Sequence, residues 1–390
     1  MHVPIPRKIM HDIDRFEAFL RESLSPRINR WYRRGSLPRE FFEEMGTGGW
    51  LGIRWADGRL HMDSCLRRSL ILEALAKVSP GSAIAALAHV DLGFAGLFLY
   101  GSPALHAAYG PPAARGDLIL CLGNTEGRAG SDVAAVRMTA VPEAGGWRLN
   151  GTKSYVTNGA EASLAVITAV TDPEERRNRR LSMFLVNLES EGVARKKLDK
   201  RVWIPSDLTR ITLKDVFVPH DHLLGRRREG LRQVLTIFTH SRTPISALTL
   251  GTAAGAFDLA VDRASRRYIF GRPIMDFQAK AFEAADLYAH LAAARLMTIK
   301  AARSVDEGGD FRLDASMAKY LSVAIARRVT AWAADLFGAV SVVFEHPIHK
   351  FPLDAWASSI GEGTQDVQKL VIFREMMAQH RSGPSRNPDE

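Results

Sequence analysis

The spacing of apolar residues changes twice along this 390-residue chain, and the changes limit the folds it can adopt. Between residues 12 and 33 apolar side chains recur every third or fourth position, which predicts one buried face of a helix. Past Gly116 the pattern becomes short apolar runs bounded by Gly, Asp and Asn, which are typical of strands. Beyond Gly230 long Ala-rich helical stretches return. This order predicts an α+β fold with helices, then a β domain, then helices.

The predicted domains follow these changes. They are an N-terminal α domain over 1–117, helical throughout its first hundred residues, a middle β-barrel or β-sandwich domain over 118–225, and a C-terminal four-helix bundle over 226–390. Three of the predicted bundle helices cover 230–268, 278–305 and 314–337. Asp314 is the predicted N-cap of the third, and Gly338 its predicted C-terminal stop.

Composition and charge narrow the class of protein. With 46% hydrophobic and 24% charged residues the chain can bury a sizeable core, which excludes a disordered protein. The two cysteines, Cys65 and Cys121, are too few for a disulfide framework and lack the spacing of a metal site. The net charge of +9 comes without the basic arms or interleaved aromatics of nucleic-acid-binding proteins.

The N-terminal residues lack the apolar core of a targeting segment, and charges interrupt the later apolar stretches. We therefore predict a soluble, cytoplasmic protein with neither a nucleic-acid nor a membrane partner.

A polar loop over 124–132 follows the first predicted strand and contains two glycines. Its backbone amides, with the hydroxyls of Thr125 and Ser131, suit hydrogen bonds to cofactor carbonyls or phosphates. The same residues also fit an ordinary polar turn, which the loop composition alone favours.

A second segment, 150–159, begins with Asn150-Gly151, a pair typical of a tight hairpin turn. Tyr155 and Thr157 stand two positions apart and so share one strand face, where they offer a stacking plane and a hydroxyl. Taken singly, such residues are more often core and surface than cofactor contacts.

A third segment, 361–366, places Glu362 between two glycines, after Ile360 and before a predicted helix. A carboxylate flanked by glycines can approach a ligand closely, and apolar surroundings raise its pKa toward that of a general base. The alternative is a loop glutamate in the first turn of the following helix.

Taken in order, these segments resemble the acyl-CoA dehydrogenase family over nearly the whole chain. The matching motifs lie at 38–41, 49–53, 125–132, 150–159, 215–219, 267–272 and 362–368. The resemblance implies an N-terminal α domain, a middle β domain and a C-terminal four-helix bundle, with FAD bound between the last two. It also implies oxidation of an acyl thioester, with electrons passed to an electron-transfer protein.

The resemblance assigns roles to nine cofactor residues. They are Thr125 and Ser131 in the loop, Tyr155 and Thr157 beside the flavin ring, Arg267, Phe270 and Gln278 in the contact with FAD, and Thr364 and Asp366 near the adenosine half. Arg267 resembles an arginine that reaches the FAD pyrophosphate of a neighbouring subunit. The resemblance thus implies a homodimer or homotetramer.

Glu362 falls where most of the family keeps its catalytic base. Some members carry the base on the first bundle helix, just before an arginine, and here that position is Ser241, followed by Arg242. Glu362 is thus the well-placed candidate for the base. Arg242 would help to arrange the Glu362 loop, and the alternative for Arg242 is an arginine on the helix surface. Proton removal at the α carbon accompanies hydride loss from the β carbon to flavin, and donors to the thioester oxygen stabilise the developing enolate.

Two departures from the family pattern stand out. The segment 335–341 reads Asp-Leu-Phe-Gly-Ala-Val-Ser where the family has a Gln and more glycines around the pyrophosphate, and Gly361 replaces an aromatic residue. We predict altered FAD contacts at the first and altered room around the reacting carbons at the second.

Basic residues suggest where the carrier of the thioester docks. They form two clusters, Arg226 to Arg228 with Arg232, and Arg176, Arg177, Arg179 and Arg180. Both suit the phosphates of coenzyme A or an acidic acyl carrier protein, the latter in a biosynthetic pathway, and both also fit solvated loop charge.

Two other functions remain open. One is a flavin oxidase or monooxygenase on the same fold, although Glu362 argues against a monooxygenase. The other is a non-catalytic thioester-binding scaffold that has lost flavin, which the changed 335–341 segment allows. Flavin content and oxygen reactivity distinguish these two functions from the dehydrogenase.

Overall fold

The computed structural model describes residues 5–382. The helices are α1 Arg7–Phe19, α2 Ser25–Arg34, α3 Glu40–Thr47, α4 Cys65–Val78, α5 Pro80–Leu87, α6 Ala95–Tyr100, α7 Pro103–Arg115, α8 Gly230–Arg266, α9 Gln278–Asp306, α10 Arg312–Phe337, α11 Lys350–Ala357 and α12 Gln365–Ser382. The strands are β1 Ile53–Ala56, β2 Arg59–Met62, β3 Leu120–Gly123, β4 Thr139–Glu143, β5 Gly146–Thr157, β6 Leu164–Val170, β7 Leu181–Asn187, β8 Val193–Lys197, β9 Leu208–Pro219, β10 Leu223–Leu224, β11 Tyr268–Ile269 and β12 Arg272–Pro273.

The N-terminal region is not helical throughout, contrary to the sequence prediction. A hairpin of β1 and β2 interrupts it, turning at Asp57 and Gly58, whose φ angles are 52° and 69°. Positive φ at both central residues gives the turn that matches strand twist. Each strand has only four residues, too short a run for alternation to be visible in the sequence.

A π-helical turn, Ala88–Phe94, joins α5 to α6 in a buried helix. His89 and Gly93 face β3: the backbone N–H of Leu120 donates to His89 Nδ1 at 3.1 Å, and a Cβ on Gly93 would lie 2.7 Å from the Cys121 nitrogen. Asp91 stands midway between His89 and Gly93 in this wide turn. It therefore projects from the opposite side of the helix, away from β3.

Acid should destabilise the protein through His89. The ring is fully buried, its Nε2 donates to the Ala113 carbonyl at 3.2 Å, and burial lowers its pKa to about 4. Because the unfolded chain takes up a proton near pH 6.5 and the folded chain does not, stability falls as pH decreases below that value. We expect this group to remove about 2 kcal/mol of unfolding free energy between pH 7 and pH 5. Urea titrations at both pH values should show the loss, and a His89→Gln variant with the same pH dependence would contradict it.

The middle domain is one sheet of eight strands in the order β10-β7-β6-β4-β5-β9-β8, with β3 beside β6. The predicted Asn150-Gly151 hairpin is wrong, because both residues lie inside β5. The Asn150 side chain pairs with Asp215 of β9, and Gly151 has a φ of 148° at a bulge in the β5–β9 register. The chain instead turns at Gly145, before β5.

Four helices, α8, α9, α10 and α12, form the C-terminal bundle. Asp314 is not the N-cap of α10, because the helix begins at Arg312 and the Asp314 carboxylate accepts from Lys300 Nζ and Ser304 Oγ of α9, both at 2.7 Å. Gly338 ends α10 at a φ of 58°, as predicted.

The longest helix, α8, also contacts the N-terminal domain closely. A Cβ on Gly251 or Gly255 would lie 2.1 Å from a carbonyl oxygen of α4, so only glycine permits this approach. The contact places the middle of α8 between the N-terminal domain and the rest of the bundle.

Two helical stretches, Pro80–Tyr100 and Gly230–Arg266, have the length and apolarity of a membrane span. The prediction that charges interrupt all apolar stretches is therefore wrong. In the most apolar 18 residues of each stretch, 83% and 78% of the residues are buried inside the protein. Helices that other elements surround on all sides are apolar all round for that reason.

Candidate active site

Glu362 lies in the turn between α11 and α12, in a backbone conformation that side chains rarely adopt. Its φ is 52°, that of Gly363 is 95°, and the residue is 9% exposed. The Gln368 amide donates to the carbonyl oxygens of Glu362 and Gly363 at 3.1 and 2.9 Å. Helix α12 thus holds a strained turn that presents the carboxylate.

Lys319 of α10 supports the same turn from the bundle side. Its side chain is completely buried, and Nζ donates to the carbonyl oxygens of Gly361 and Gly363 on either side of Glu362. Burial lowers its pKa to about 8, while the Glu362 charge opposes that shift. Lys319 therefore supplies both two hydrogen bonds and a positive charge beneath the carboxylate.

Arg242 of α8 is buried, which excludes a helix-surface arginine. One guanidinium nitrogen donates to Ser316 Oγ at 3.3 Å, and Nε has no hydrogen-bond partner among the described residues. Burial lowers the pKa of Arg242, and the Glu362 charge opposes this. The neighbouring Ser241 hydroxyl donates to the Phe238 carbonyl in its own helix, so it offers no base.

Burial raises the pKa of Glu362, and the charge of Asp91 raises it further, whereas Lys319 and Arg242 lower it. No side chain in the described part of the protein donates a hydrogen bond to its carboxylate. A buried carboxylate with no donor and a raised pKa can accept a proton from a ligand.

Tyr155 and Thr157 lie near the end of β5. Tyr155 has a φ of 58° at a bulge, and its ring is 63% exposed although β5 is otherwise largely buried. Thr157 is partly exposed. The sheet thus presents an uncovered aromatic plane with a hydroxyl nearby, which suits a flat ligand.

A buried ion pair fixes the loop that carries Thr125 and Ser131. Lys153 Nζ lies 2.8 Å from Glu126 Oε1 and 3.0 Å from the Asn124 carbonyl, and Glu126 accepts from two backbone N–H groups at Arg137 and Met138. The Thr125 carbonyl accepts from the N–H of Ser154 at 2.8 Å. The loop is therefore attached to the strand that carries Tyr155.

Replacing Glu126 with glutamine should loosen this attachment. The change leaves buried Lys153 without an anion, and we expect a loss of about 3 kcal/mol in unfolding free energy and weaker FAD retention. Denaturant titration and the ratio of flavin to protein absorbance measure both effects. The matched control is Glu143→Gln, which removes the partner of the exposed Arg148 and should change neither.

Thr364 and Asp366 follow the Glu362 turn. Thr364 Oγ1 accepts from the Val367 N–H at 3.4 Å, so its hydroxyl caps α12. Asp366 is exposed and lies 3.2 Å from Lys369 Nζ in the first turn of that helix. Both occupy the surface beside the candidate base.

Arg267, Phe270 and Gln278 lie at the turn between α8 and α9, and all three are exposed. Arg267 is roughly 37 Å from Arg242 along α8, given the rise of a helix. Within one chain this group therefore lies far along α8 from Arg242, which contacts the bundle near the Glu362 turn. In the altered 335–341 segment Asp335, Gly338 and Ala339 are exposed, whereas Phe337 is buried and packs beneath the Arg263 guanidinium at 4.8 Å.

Several arginines of the two predicted basic clusters form ion pairs or hydrogen bonds within the β domain. Arg227 and Arg228 bind the buried Asp172 carboxylate at 2.8 Å, and Arg228 also lies 2.9 Å from Glu175. The prediction that these two arginines serve as docking charges is therefore not supported by their contacts. Arg180 likewise donates to backbone carbonyls at residues 134 and 136.

Comparison with known proteins supplies the family. Models of the N-terminal, middle and C-terminal domains of acyl-CoA dehydrogenases match residues 13–117, 121–216 and 228–377. The probable acyl-CoA dehydrogenase YngJ of Bacillus subtilis is 30% identical over 362 residues, which cover 92% of this chain and 95% of that protein. The chain belongs to the acyl-CoA dehydrogenase family.

Solved structures agree with this assignment. Butyryl-CoA dehydrogenase from Megasphaera elsdenii superposes with a TM-score of 0.91 at 28% identity, covering 97% of this chain and all of that one. PigA, solved with FAD and proline, gives a TM-score of 0.92 at 25% identity with the same coverage. The predicted family, the fold class and FAD as the cofactor are confirmed at this level.

The residues present fit the flavin of this family. The Tyr155 plane is uncovered, Arg242 Nε and Gln365 Oε1 are buried without partners among the described residues, and a Cβ on Gly127 or Gly130 would meet nothing within 4 Å. An uncovered aromatic plane, buried polar atoms without partners and glycines that face open space suit a planar ligand with a polar tail.

Several residues of this site were not predicted from the sequence. Lys319, Glu126 and Lys153 are charged residues in helix and strand patterns, where solvent exposure is the usual expectation. The signal for Glu126 was present, because it stands within the loop motif that carries Thr125 and Ser131.

Proposed function

We propose that this protein is an FAD-dependent dehydrogenase that introduces an α,β double bond into an acyl thioester, with Glu362 as the general base. The observation that carries the proposal is the Glu362 carboxylate, which is buried, free of hydrogen-bond donors among the described residues and close enough to Lys319 and Arg242 for their charges to oppose the rise of its pKa. Relatives and neighbours named as acyl-CoA dehydrogenases support this chemistry.

The chain's own residues prepare the proton transfer. Glu362 accepts the α proton, and the charges of Lys319 and Arg242 oppose the rise in its pKa that burial causes, which favours the ionised form that the base needs. The Glu362 backbone N–H has no partner among the described residues and suits a donor to the thioester oxygen. Bound FAD supplies the acceptor for the hydride from the β carbon.

We propose an acyl carrier protein as the carrier, with coenzyme A as the alternative outcome of the test. The loop that carries Ser131 packs near the start of α8, where Leu231 contacts the apolar cluster around Ala129 and Val136. Arg176, Arg179 and Arg226 are exposed and, in the described structure, have no carboxylate partner. Ion pairs of Arg228 with Asp172 and Glu175 hold the two segments that carry them next to each other. Exposed cations of this kind suit an acidic partner.

Replacing Arg176, Arg179 and Arg226 with alanine should raise the apparent KM for a carrier-protein thioester by roughly tenfold. The KM for a short pantetheine thioester should change little, because that substrate does not reach these charges. The matched control removes the exposed Arg30, Arg33 and Arg34 of α2 and gives the same change in net charge. Equal effects of both triples on both substrates would contradict the docking site.

We also propose that the protein forms a homodimer or homotetramer. Large apolar side chains are exposed on the α8–α9 turn, on α9 and on the segment after α10. They are Tyr268, Phe270, Phe282, Tyr288, Leu296, Val342 and Phe344. The Phe270 side chain is 94% exposed. A group of exposed apolar side chains is typical of a subunit interface. A second copy would also bring Arg267 to a cofactor that its own chain cannot reach.

An electron-transfer flavoprotein as acceptor and a cytoplasmic location complete the proposal. The test is turnover of acyl-CoA and acyl-carrier-protein thioesters with an artificial electron acceptor, followed by mass spectrometry and an oxygen electrode. We expect a product two mass units lighter and little oxygen uptake. Oxygen uptake that matches product formation would favour the oxidase, and a flavin-free protein would favour the scaffold.

A further inference from the structure

A buried ion pair lies near the candidate base. A pocket for a plain alkyl chain would have apolar side chains at this position. Arg68 of α4 lies 3.0 Å from Asp91 Oδ1 through both Nε and Nη2, and Arg68 Nη1 donates to the Asp63 carbonyl. Arg68 is 8% exposed and Asp91 is 4% exposed. Neither residue belongs to the cofactor or base assignments above.

The backbone directs Asp91 toward the site. His89 and Gly93 of the π turn face the sheet, so Asp91 projects toward α4. His240 of α8, two residues before Arg242, is also close enough for the Arg68 charge to lower its pKa. The Asp91 charge in turn raises the pKa of Glu362, in agreement with a position in the same chamber. Helix α8, which carries Arg242, packs against α4, the π turn and α10, so the Arg68–Asp91 pair and the candidate base lie around the same stretch of α8, and we call the space between them the chamber.

The pair leaves one hydrogen-bonding position unused. The donors of Arg68 are directed to Asp91 Oδ1 and to the Asp63 carbonyl, whereas no described residue donates to Asp91 Oδ2. A group that binds there must donate a hydrogen bond. Burial and the charge of Arg68 lower the pKa of the neighbouring His240, and Arg242 and Lys319 are two further cations near Glu362, so an additional positive charge is disfavoured. A neutral hydroxyl satisfies both conditions.

We propose that the acyl group of the substrate carries a hydroxyl beyond its reacting carbons and that Asp91, held by Arg68, accepts the hydrogen bond from it. This inference rests on the proposed dehydrogenase function and names the substrate class of its site. A plain alkyl chain would leave the Asp91 oxygen without a partner, and a buried acceptor without a donor lowers affinity.

The test compares reduction of the bound flavin by butyryl, 4-hydroxybutyryl, 4-aminobutyryl and octanoyl thioesters on one carrier. In 4-hydroxybutyrate the hydroxyl lies on the γ carbon, so the α and β carbons that react are unchanged. We expect kcat/KM for 4-hydroxybutyryl to exceed that for butyryl by about tenfold, and octanoyl to be the poorest substrate. A preference for butyryl or octanoyl would overturn the inference while leaving the dehydrogenase intact. A preference for the aminoacyl thioester would overturn the hydroxyl assignment. Flavin that no thioester reduces would contradict the proposed function itself and this inference with it.

A double variant tests the named residues. Arg68→Met with Asp91→Leu replaces the ion pair by apolar side chains of similar size, a change that folded proteins often tolerate. We expect the ratio of 4-hydroxybutyryl to butyryl kcat/KM to fall to one or below. Arg67→Met is the matched control, because Arg67 is next on α4 but pairs with Asp12 and Asp63 instead, and it should keep the wild-type ratio. An unchanged ratio in a double variant that retains FAD would overturn the role of the pair. Should the double variant not fold, the wild-type substrate ratio still decides the inference.

Discussion

Replacement of Glu362 by glutamine is expected to slow thioester-dependent flavin reduction by roughly a thousandfold. Glutamine keeps the size of the side chain but cannot take the α proton. The strained turn should persist, because Lys319 and Gln368 bind its backbone carbonyls rather than the Glu362 carboxylate. The flavin spectrum should therefore remain close to that of the wild type, and stopped-flow absorbance in the absence of oxygen measures the rate.

A matched control for this result is Glu375→Gln on α12. Glu375 lies 3.4 Å from Arg312 and is remote from the turn, so its replacement should leave the rate unchanged. Retained flavin reduction in the Glu362 variant would assign the base to another residue. Loss of FAD in that variant would instead indicate a structural role for the carboxylate.

The second large effect is expected from Lys319→Met. The variant loses two buried hydrogen bonds and a buried charge, and we expect about 3 kcal/mol less stability and a rate of flavin reduction lower by roughly a hundredfold. Since Lys319 lowers the pKa of Glu362, its removal should raise that pKa. The reaction needs the ionised base, so the rising limb of the pH–rate profile should move to higher pH.

Lys350→Met separates this role from simple destabilisation. Lys350 is buried, its pKa is lowered to about 8 by burial, and Nζ donates to the Val78 carbonyl at 2.9 Å away from the Glu362 turn. Its replacement should cost similar stability without moving the pH–rate profile. A Lys319→Arg variant should recover part of the rate. Identical pH profiles for the Lys319 and Lys350 variants would contradict the positioning role.

Much of the architecture was predictable because long periodic segments dominate it. The start of α8, the start of α9 and the stop at Gly338 agree with the apolar spacing and with glycine at a helix end. The β1–β2 hairpin escaped notice because four-residue strands carry too little pattern. Asn150-Gly151 gave a false turn signal, because Asn-Gly is typical of a tight turn. Here the asparagine pairs across two strands and the glycine lies at a bulge.

The candidate site was predictable only in part. Glu362 stands out because glycines flank it and an apolar residue precedes it, whereas Lys319 lies in an Ala-rich helix whose pattern suggests an exposed lysine. Asp91 interrupts an apolar run, and the ion pair with Arg68 explains why a buried helical turn carries an acid there. Partners such as Arg68 and Asp91 come together through the packing of α4, which sequence spacing does not reveal.

The most direct test of the central claim is an anaerobic titration of the purified protein with acyl thioesters, read by its visible absorption. We predict flavin bands that bleach with one equivalent of an accepted thioester, with one equivalent of the α,β-unsaturated product formed. Flavin bands that no coenzyme A or carrier-protein thioester bleaches, or a protein that stays colourless after FAD is added, would contradict the dehydrogenase.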